Sequence, residues 1–488
     1  MSRGISIVST LEDPGLFGSA FRDLRTWRSW IVFLKALFAL PMDDEELEIY
    51  RTHTGRKQPP SEPAREAWLP IGRRGGKSRV AACIAVFLAC FRDYTSVLAA
   101  GERGTVMVIA SDRRQARVVF RYIAGLLDGS PMLSELVESR TKESIHLRNR
   151  ITIEVHTASF RAVRGYTVVA AVLDEVAYWP SDELSANPDI EIVNALRPGM
   201  ATVPGSMLLA ISSPYARRGA LWNAFSKHFG RDGDPVLVWQ ADTRSMNPTV
   251  EESVIAKAYE EDPASASAEY SAQFRSDVER FVTLEVVQAS TVPARQFLPP
   301  IEGIEYFGFV DPSGGSSDSM TLAVAHVESD KRVLDFVMER RPPFSPESVV
   351  EEFSAVLEKY GCFTVVGDRY AGEWPRERFR EHGIVYDPSA KSKSDLYREL
   401  LPLLNSGRLE LLDDERLAAQ LLGLERRTSR GGRDAIDHAP GRHDDLINAA
   451  AGALLGAMEE GGASPRVWWI DDEPGGWVPA QKLIPWWH

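Results

Sequence analysis

Lys77 and Ser78 close a glycine-rich turn, Gly72-Arg73-Arg74-Gly75-Gly76-Lys77-Ser78. It follows the short apolar run from Ala67 to Ile71 and precedes a helix-like run from Arg79 to Phe91. That context suits a phosphate-binding loop. Glycines let backbone N–H groups face an anion, Lys77 can reach the β and γ phosphates of ATP, and Ser78 can hold Mg²⁺. The usual form of the loop has glycine five positions before Gly76. Ile71 occupies that position here, and Gly72 comes one place late. A glycine-rich turn without nucleotide is the structural alternative.

The partner half of such a site is also present. Val168 to Leu173 is a continuous apolar run ending in Asp174 and Glu175. Acids at the carboxyl end of a parallel strand lie where ligands bind in open α/β sheets. Asp174 can orient Mg²⁺, and Glu175 can polarise the attacking water as general base. A second apolar run, Leu208 to Ile211, ends in Ser212, Ser213 and Pro214. A hydroxyl at that place can sense the γ-phosphate and couple hydrolysis to motion, or simply form a turn. Charge on a transferred phosphoryl group calls for arginine. Arg73 and Arg74 can act from the loop. Arg161 and Arg164 precede the acidic strand and can serve a neighbouring subunit, touch DNA or stay solvated. Gln58, beside Lys57, is a candidate reader of adenine or an ordinary surface glutamine.

A separate set of acids lies further along. Asp311 ends the run Phe307 to Val310, Asp368 follows Thr364 to Gly367, and His443-Asp444-Asp445 opens an Ala/Leu-rich helix. Two divalent ions about 4 Å apart need such a carboxylate cluster to activate water and stabilise the leaving oxygen of a phosphodiester. Oxygen ligands suit Mg²⁺ or Mn²⁺. Asp444 and Asp445 compete for one role, since either can serve as helix cap instead. Asp318 is a further ligand candidate or a turn residue. Arg426, Arg427, Arg430 and Arg433 surround Ser429, Gly431 and Gly432, as at a hairpin tip with basic arms able to contact DNA phosphates or remain solvated.

The elements that must position these residues follow an α/β pattern. Residues 1–65 form a helical lead-in, with Trp27, Trp30, Phe33, Leu34 and Leu37 at helical spacing. Residues 66–280 alternate strand and helix, as in a phosphate-loop ATPase domain with a parallel sheet. Residues 281–302, with Pro293, Pro299 and Pro300, form a connector. In residues 303–458 three adjacent strand-like runs (Tyr306–Val310, Met320–His326, Arg332–Met338) precede alternating helix and strand, the order of an RNase H-like fold. Residues 459–488 are a Trp-rich tail, in which an anchoring surface and a segment folded back on its domain are equal readings.

The net charge of −13 argues against a uniformly basic nucleic-acid coat, but DNA binding needs only a local basic surface. No stretch reaches the ~18 apolar residues of a membrane span. Glu12, Asp13, Pro14 and Gly15 interrupt the start as no signal peptide would. The three cysteines, Cys83, Cys90 and Cys362, form no disulfide or zinc pattern and fit a reducing cytoplasm.

An ATPase with adjacent Asp-Glu followed by an RNase H-like nuclease resembles the large terminase family of tailed bacteriophages, over about residues 50–458. The loop Arg73 to Ser78 looks like that family's variant phosphate loop. Asp174 and Glu175 match its acidic strand, Ser212 and Ser213 its coupling motif, Asp311, Asp368 and His443-Asp444-Asp445 its nuclease triad, and Glu269 to Phe274 its interdomain stretch. The resemblance implies a motor that assembles as a ring on the portal protein of a procapsid in the host cytoplasm. It would package double-stranded DNA selected by a small terminase subunit and cut concatemers with its nuclease. Two other classes remain open at this point: a helicase-like ATPase with a resolvase-type nuclease, and a non-catalytic virion protein.

Overall fold

The computed structural model describes residues 5–180, 188–315, 318–368, 374–428, 434–439, 442–457, 468–470 and 477–479. The chain divides into two compact units, Met1–Val278 and Glu279–His488.

The first unit is built on eight strands: β1 (Glu66–Pro70), β2 (Gly104–Ala110), β3 (Val137–Arg140), β4 (Ser144–Leu147), β5 (Ile151–Thr157), β6 (Thr167–Asp174), β7 (Met207–Ser212) and β8 (Val236–Val238). Their order is β3-β4-β5-β2-β6-β7-β1-β8. The run from β5 to β8 is parallel, and β3 and β4 extend it as an antiparallel edge. Every residue of β2 and β7 is buried, which explains why their sequences show no polar alternation. Successive side chains enter different cores. Val106 and Val108 join the helices Lys77–Phe91 and Arg113–Asp128, whereas Met107 and Ile109 join Asp189–Ala201 and Gly219–His228. Helices on both faces of a parallel sheet are the α/β solution to burying it. β7 lies between β1 and β6, so the strand entering the glycine-rich turn and the strand ending in Asp174 are separated by one strand. The predicted helical lead-in forms Ile7–Glu12, Arg28–Leu37 and Asp44–Thr54.

In the second unit, β9 (Val278–Arg280) joins β16 (Leu424–Thr428) and β17 (Asp434–His438) in a three-stranded ribbon. The main sheet contains β10 (Tyr306–Asp311), β11 (Met320–Glu328), β12 (Lys331–Arg340), β13 (Thr364–Gly367), β14 (Val385–Pro388) and β15 (Leu409–Glu410), in the order β14-β13-β10-β11-β12-β15. The first three strands pair antiparallel, and β13 and β14 run parallel to β10. This is the RNase H-like arrangement. The helix Asp445–Gly456 lies on the sheet through Leu446, Ile447, Ala449, Ala450 and Ala453, all buried. A Cβ on its Gly452 would enter the Phe309 ring, so only glycine permits this approach to β10.

Residues 281–302, expected as a connector, include the helix Leu284–Ser290, and Phe281, Val282 and Val287 are buried in the core of the second unit. Their apolar side chains outweigh the prolines that suggested a linker. The basic hairpin is present as β16 and β17. Its tip, with Arg430 and Arg433, lies outside the described residues. In the tail, Trp468–Ile470 pairs antiparallel with Trp477–Pro479, and the rest lies outside them. Among the described residues no helix is long and apolar enough to cross a membrane.

Candidate nucleotide and metal sites

The glycine-rich turn leaves the carboxyl end of β1 and is fixed from several sides. Thr243 Oγ1 donates to Arg73 O at 2.8 Å, Asn247 Nδ2 to Arg74 O at 2.9 Å, and Trp30 Nε1 to Gly75 O at 2.7 Å. Arg74 and Gly76 take positive φ, and Gly76 leads directly into the helix that begins at Lys77. The turn therefore presents a helix N-terminus in the manner anions exploit. A Cβ on Gly72 would lie 2.6 Å from Tyr270 O and 2.7 Å from Thr243 N, both backbone atoms. We expect Gly72→Ala to cost about 1–3 kcal/mol of stability through overpacking and to weaken ATP binding. Urea unfolding and nucleotide titration measure both, and wild-type values would show that the turn absorbs the methyl group.

Lys77 is buried. Its Nζ donates to Ile71 O at 2.9 Å and to Ser213 Oγ at 3.1 Å, and lies 4.0 Å from Glu175 Oε1. Burial lowers the Lys77 pKa, while Glu175 and Asp174 act to keep the ammonium charged. Glu175 is a non-glycine residue with φ 51°, a left-handed conformation that costs energy and recurs at functional positions. Its Oε2 is 3.0 Å from Ser212 Oγ and accepts from Ser213 N at 3.2 Å. Asp174 is buried, and its Oδ1 makes no hydrogen bond among the described residues. Burial, reinforced by the Glu175 charge, pushes its carboxyl up to about 7. An enclosed carboxylate oxygen without a donor is a fitting ligand for Mg²⁺ or its water shell. The structure thus joins Lys77, Glu175, Ser212 and Ser213 in one hydrogen-bonded group.

Other candidates fall elsewhere. Arg73 is held by Glu269 at 2.9 Å, a partner supplied from almost 200 residues away and silent in sequence. Arg161 and Arg164 are exposed on the β5–β6 connection, stacked over Phe160 at 5.7 and 5.4 Å. Gln58 has an exposed side chain, and its backbone N–H donates to Asp232 at 3.0 Å. Among the described residues its side chain makes no hydrogen bond to the glycine-rich turn.

In the second unit Asp311, Asp318, Asp368, Asp444 and Asp445 all line one cavity of about 1190 Å³. Asp311 ends β10, and Asp368 follows the parallel strand β13, with its N–H donating to Val310 O at 3.2 Å. Asp445 opens the last helix, and Thr321 Oγ1 donates to its carbonyl at 2.8 Å. Asn448, three residues on and hence on the same helical face, donates to Asp311 Oδ2 at 2.7 Å. The Asp445 Oδ2 atom is enclosed without a hydrogen bond, whereas Asp444 is engaged by Lys393 and Tyr397. Asp445 is therefore the one of the pair turned toward ions. Arg426 and Arg427 lie on β16, where Arg426 pairs with Asp434 and Arg427 donates to His438 O at 3.2 Å.

Burial, with the Asp368, Asp445 and Asp444 charges adding to it, pushes the Asp311 carboxyl up to about 8 against the lowering bond from Asn448. A carboxyl raised above its ordinary 3.8 binds its proton better folded than unfolded. Its stabilising effect is complete below about pH 4 and is lost as pH rises toward about 8. We expect ion-free protein to melt at lower temperature at about pH 8 than at about pH 5, with Asp311→Asn flattening that slope. Scanning calorimetry across the range tests it, and an unchanged slope in the variant would assign the effect elsewhere.

The fold and sites define a two-part class: an ATPase-type α/β unit with one strand between the lysine loop and the acidic strand, and an RNase H-like unit with converging carboxylates. No protein-family model matches the chain, and no curated protein matches it. Among solved structures, it is similar to the large terminase of bacteriophage HK97, at 15% identity and TM-score 0.40, covering 94% of this chain and 100% of that one. A full-length large terminase from a thermophilic bacteriophage matches at 12% identity and TM-score 0.39, covering 88% and 98%. The large terminase nuclease from thermophilic phage G20c with bound magnesium matches at 19% identity and TM-score 0.31, covering 35% and 94%.

Proposed function

We propose that this chain is a terminase large subunit, an ATP-driven translocase of double-stranded DNA joined to a metal-dependent endonuclease. One observation carries the reading. The Lys77–Glu175–Ser212–Ser213 group in the first unit is followed, in the same chain, by Asp311, Asp368 and Asp445 around one cavity.

In the first unit, backbone N–H groups of Gly72–Ser78 cradle the phosphates and Lys77 exchanges its loop carbonyls for phosphate oxygens. Ser78 and Asp174 would hold Mg²⁺, which supplies charge neutralisation at the β and γ phosphates. Glu175, oriented by Ser212 and Ser213, takes the proton of the attacking water. An arginine, Arg161 or Arg164 of a neighbouring subunit, completes the site. Because Lys77 and Glu175 both bond to the end of β7, loss of the γ-phosphate is felt on that strand. In the second unit, Asp311, Asp368 and Asp445 would hold two Mg²⁺ or Mn²⁺ ions, which supply water activation and stabilise the leaving oxygen. Asn448 orients Asp311, and Arg426 and Arg427 contact DNA phosphates. The working assembly is a ring on the portal of a procapsid in the host cytoplasm, with a small terminase subunit selecting the DNA.

The test is steady-state phosphate release from ATP by the full chain, with and without linear duplex DNA. Turnover stimulated by DNA is expected. A chain that neither hydrolyses ATP nor responds to DNA is not a packaging motor.

A further inference from the structure

Beside the ion-facing carboxylates lies a second group. Asp437 on β17, His438 and Asp444 each place a ligand atom within 4.8 Å of the others. Two carboxylates and an imidazole at that spacing have the chemistry of a divalent-ion site. A protein cation already stands among them: Lys393 Nζ is 2.7 Å from Asp437 Oδ1 and 3.1 Å from Asp444 Oδ2. Tyr397 donates to the same Asp444 oxygen at 3.0 Å.

The ammonium is delivered from a fixed element. Lys393 begins the helix Lys393–Asn405, which is closed by a capping box between Ser392 and Asp395 and anchored by buried Leu396, Tyr397 and Leu400. The same helix is tied along β17, where Ser394 Oγ accepts from Ile436 N at 2.9 Å and Arg398 donates to Asp434 O at 2.8 Å. The adjacent Asp445 has no such partner, and its Oδ2 is enclosed without a hydrogen bond. Neighbouring residues at a helix start point ~100° apart, so one faces the ammonium and the other the ion cavity.

We propose that Lys393 is a built-in cation that withdraws Asp444, together with Asp437 and His438, from ion binding, leaving divalent ions to Asp311, Asp368 and Asp445. The proposal deepens the nuclease reading and rests on it for its catalytic meaning. Two carboxylates this close repel unless a cation lies between them. A neutral side chain at position 393 therefore opens a further divalent-ion site.

The experiment is Mn²⁺ titration of the full chain, followed by the loss of the free-ion paramagnetic resonance signal. Lys393→Met and Lys393→Gln are each expected to bind one ion more than wild type. Lys393→Arg should bind the wild-type number, and adding Asp437→Asn to Lys393→Met should remove the extra ion. If neither neutral variant gains an ion, the proposal is overturned, as it is if the gain survives Asp437→Asn. The readout is a difference from wild type, so it holds whatever number the wild type binds. Asp368→Ala, expected to lower the wild-type count, reports separately on the nuclease reading.

Discussion

Asp368→Ala is expected to reduce Mn²⁺-dependent plasmid cleavage by at least about 10²–10³-fold, the scale seen when one preorganised transition-state contact is removed, while Glu175→Ala cuts near the wild-type rate. The contrast follows from where the two carboxylates stand. Asp368 leaves β13 beside Asp311 and lines the same cavity as Asp445. Removing one carboxylate from a three-carboxylate site leaves each ion short of a ligand and stops in-line attack. Glu175 belongs to the hydrogen-bonded group in the other unit. The measurement is conversion of supercoiled plasmid to nicked and linear forms under saturating Mn²⁺. Equal cutting by Asp368→Ala and wild type would remove the nuclease site from this cavity.

Glu175→Gln is expected to lower ATP turnover by about 10²–10⁴-fold, the usual contribution of a general base, with nucleotide affinity preserved. The amide oxygen can still accept from Ser212 Oγ and Ser213 N, at 3.0 and 3.2 Å in the wild type. The geometry survives, but the side chain no longer accepts a proton from water. Phosphate release and equilibrium ATP binding separate the two effects. Loss of binding along with turnover would make Glu175 a structural strut for the turn, and unchanged turnover would place the base elsewhere.

The residues that sequence alone made legible share a physical cause. β6 and β7 are buried on both faces, so their apolar runs stand out and the polar residues ending them, Asp174 and Ser212, are conspicuous. The same holds for Asp311 after β10. The short edge strands β3 and β4 had no such signature, since β3 is largely exposed. Long-range partners were equally silent. Glu269 on Arg73 and Trp30 on Gly75 come from segments whose sequences show only helix. Lys393 lies in a polar stretch that looks like solvated loop, and only the pairing of its helix with β17 reveals its neighbours. Asn448 was within reach of spacing arguments, because it falls one turn after Asp445.

The contact between Gly452 and Phe309 has a consequence for how the metal cavity is calibrated. Asp311 is two residues beyond Phe309 on β10, and Asp445 is two turns, ~10 Å, before Gly452 on the last helix. The gap between the two carboxylates is therefore set like the jaw of a caliper, by the thickness of a joint well away from the points that measure. A single methyl group at that joint would open the jaws without touching a ligand. The ion spacing, and with it the choice between a smaller and a larger divalent ion, is thus adjustable by residues that never meet metal or DNA.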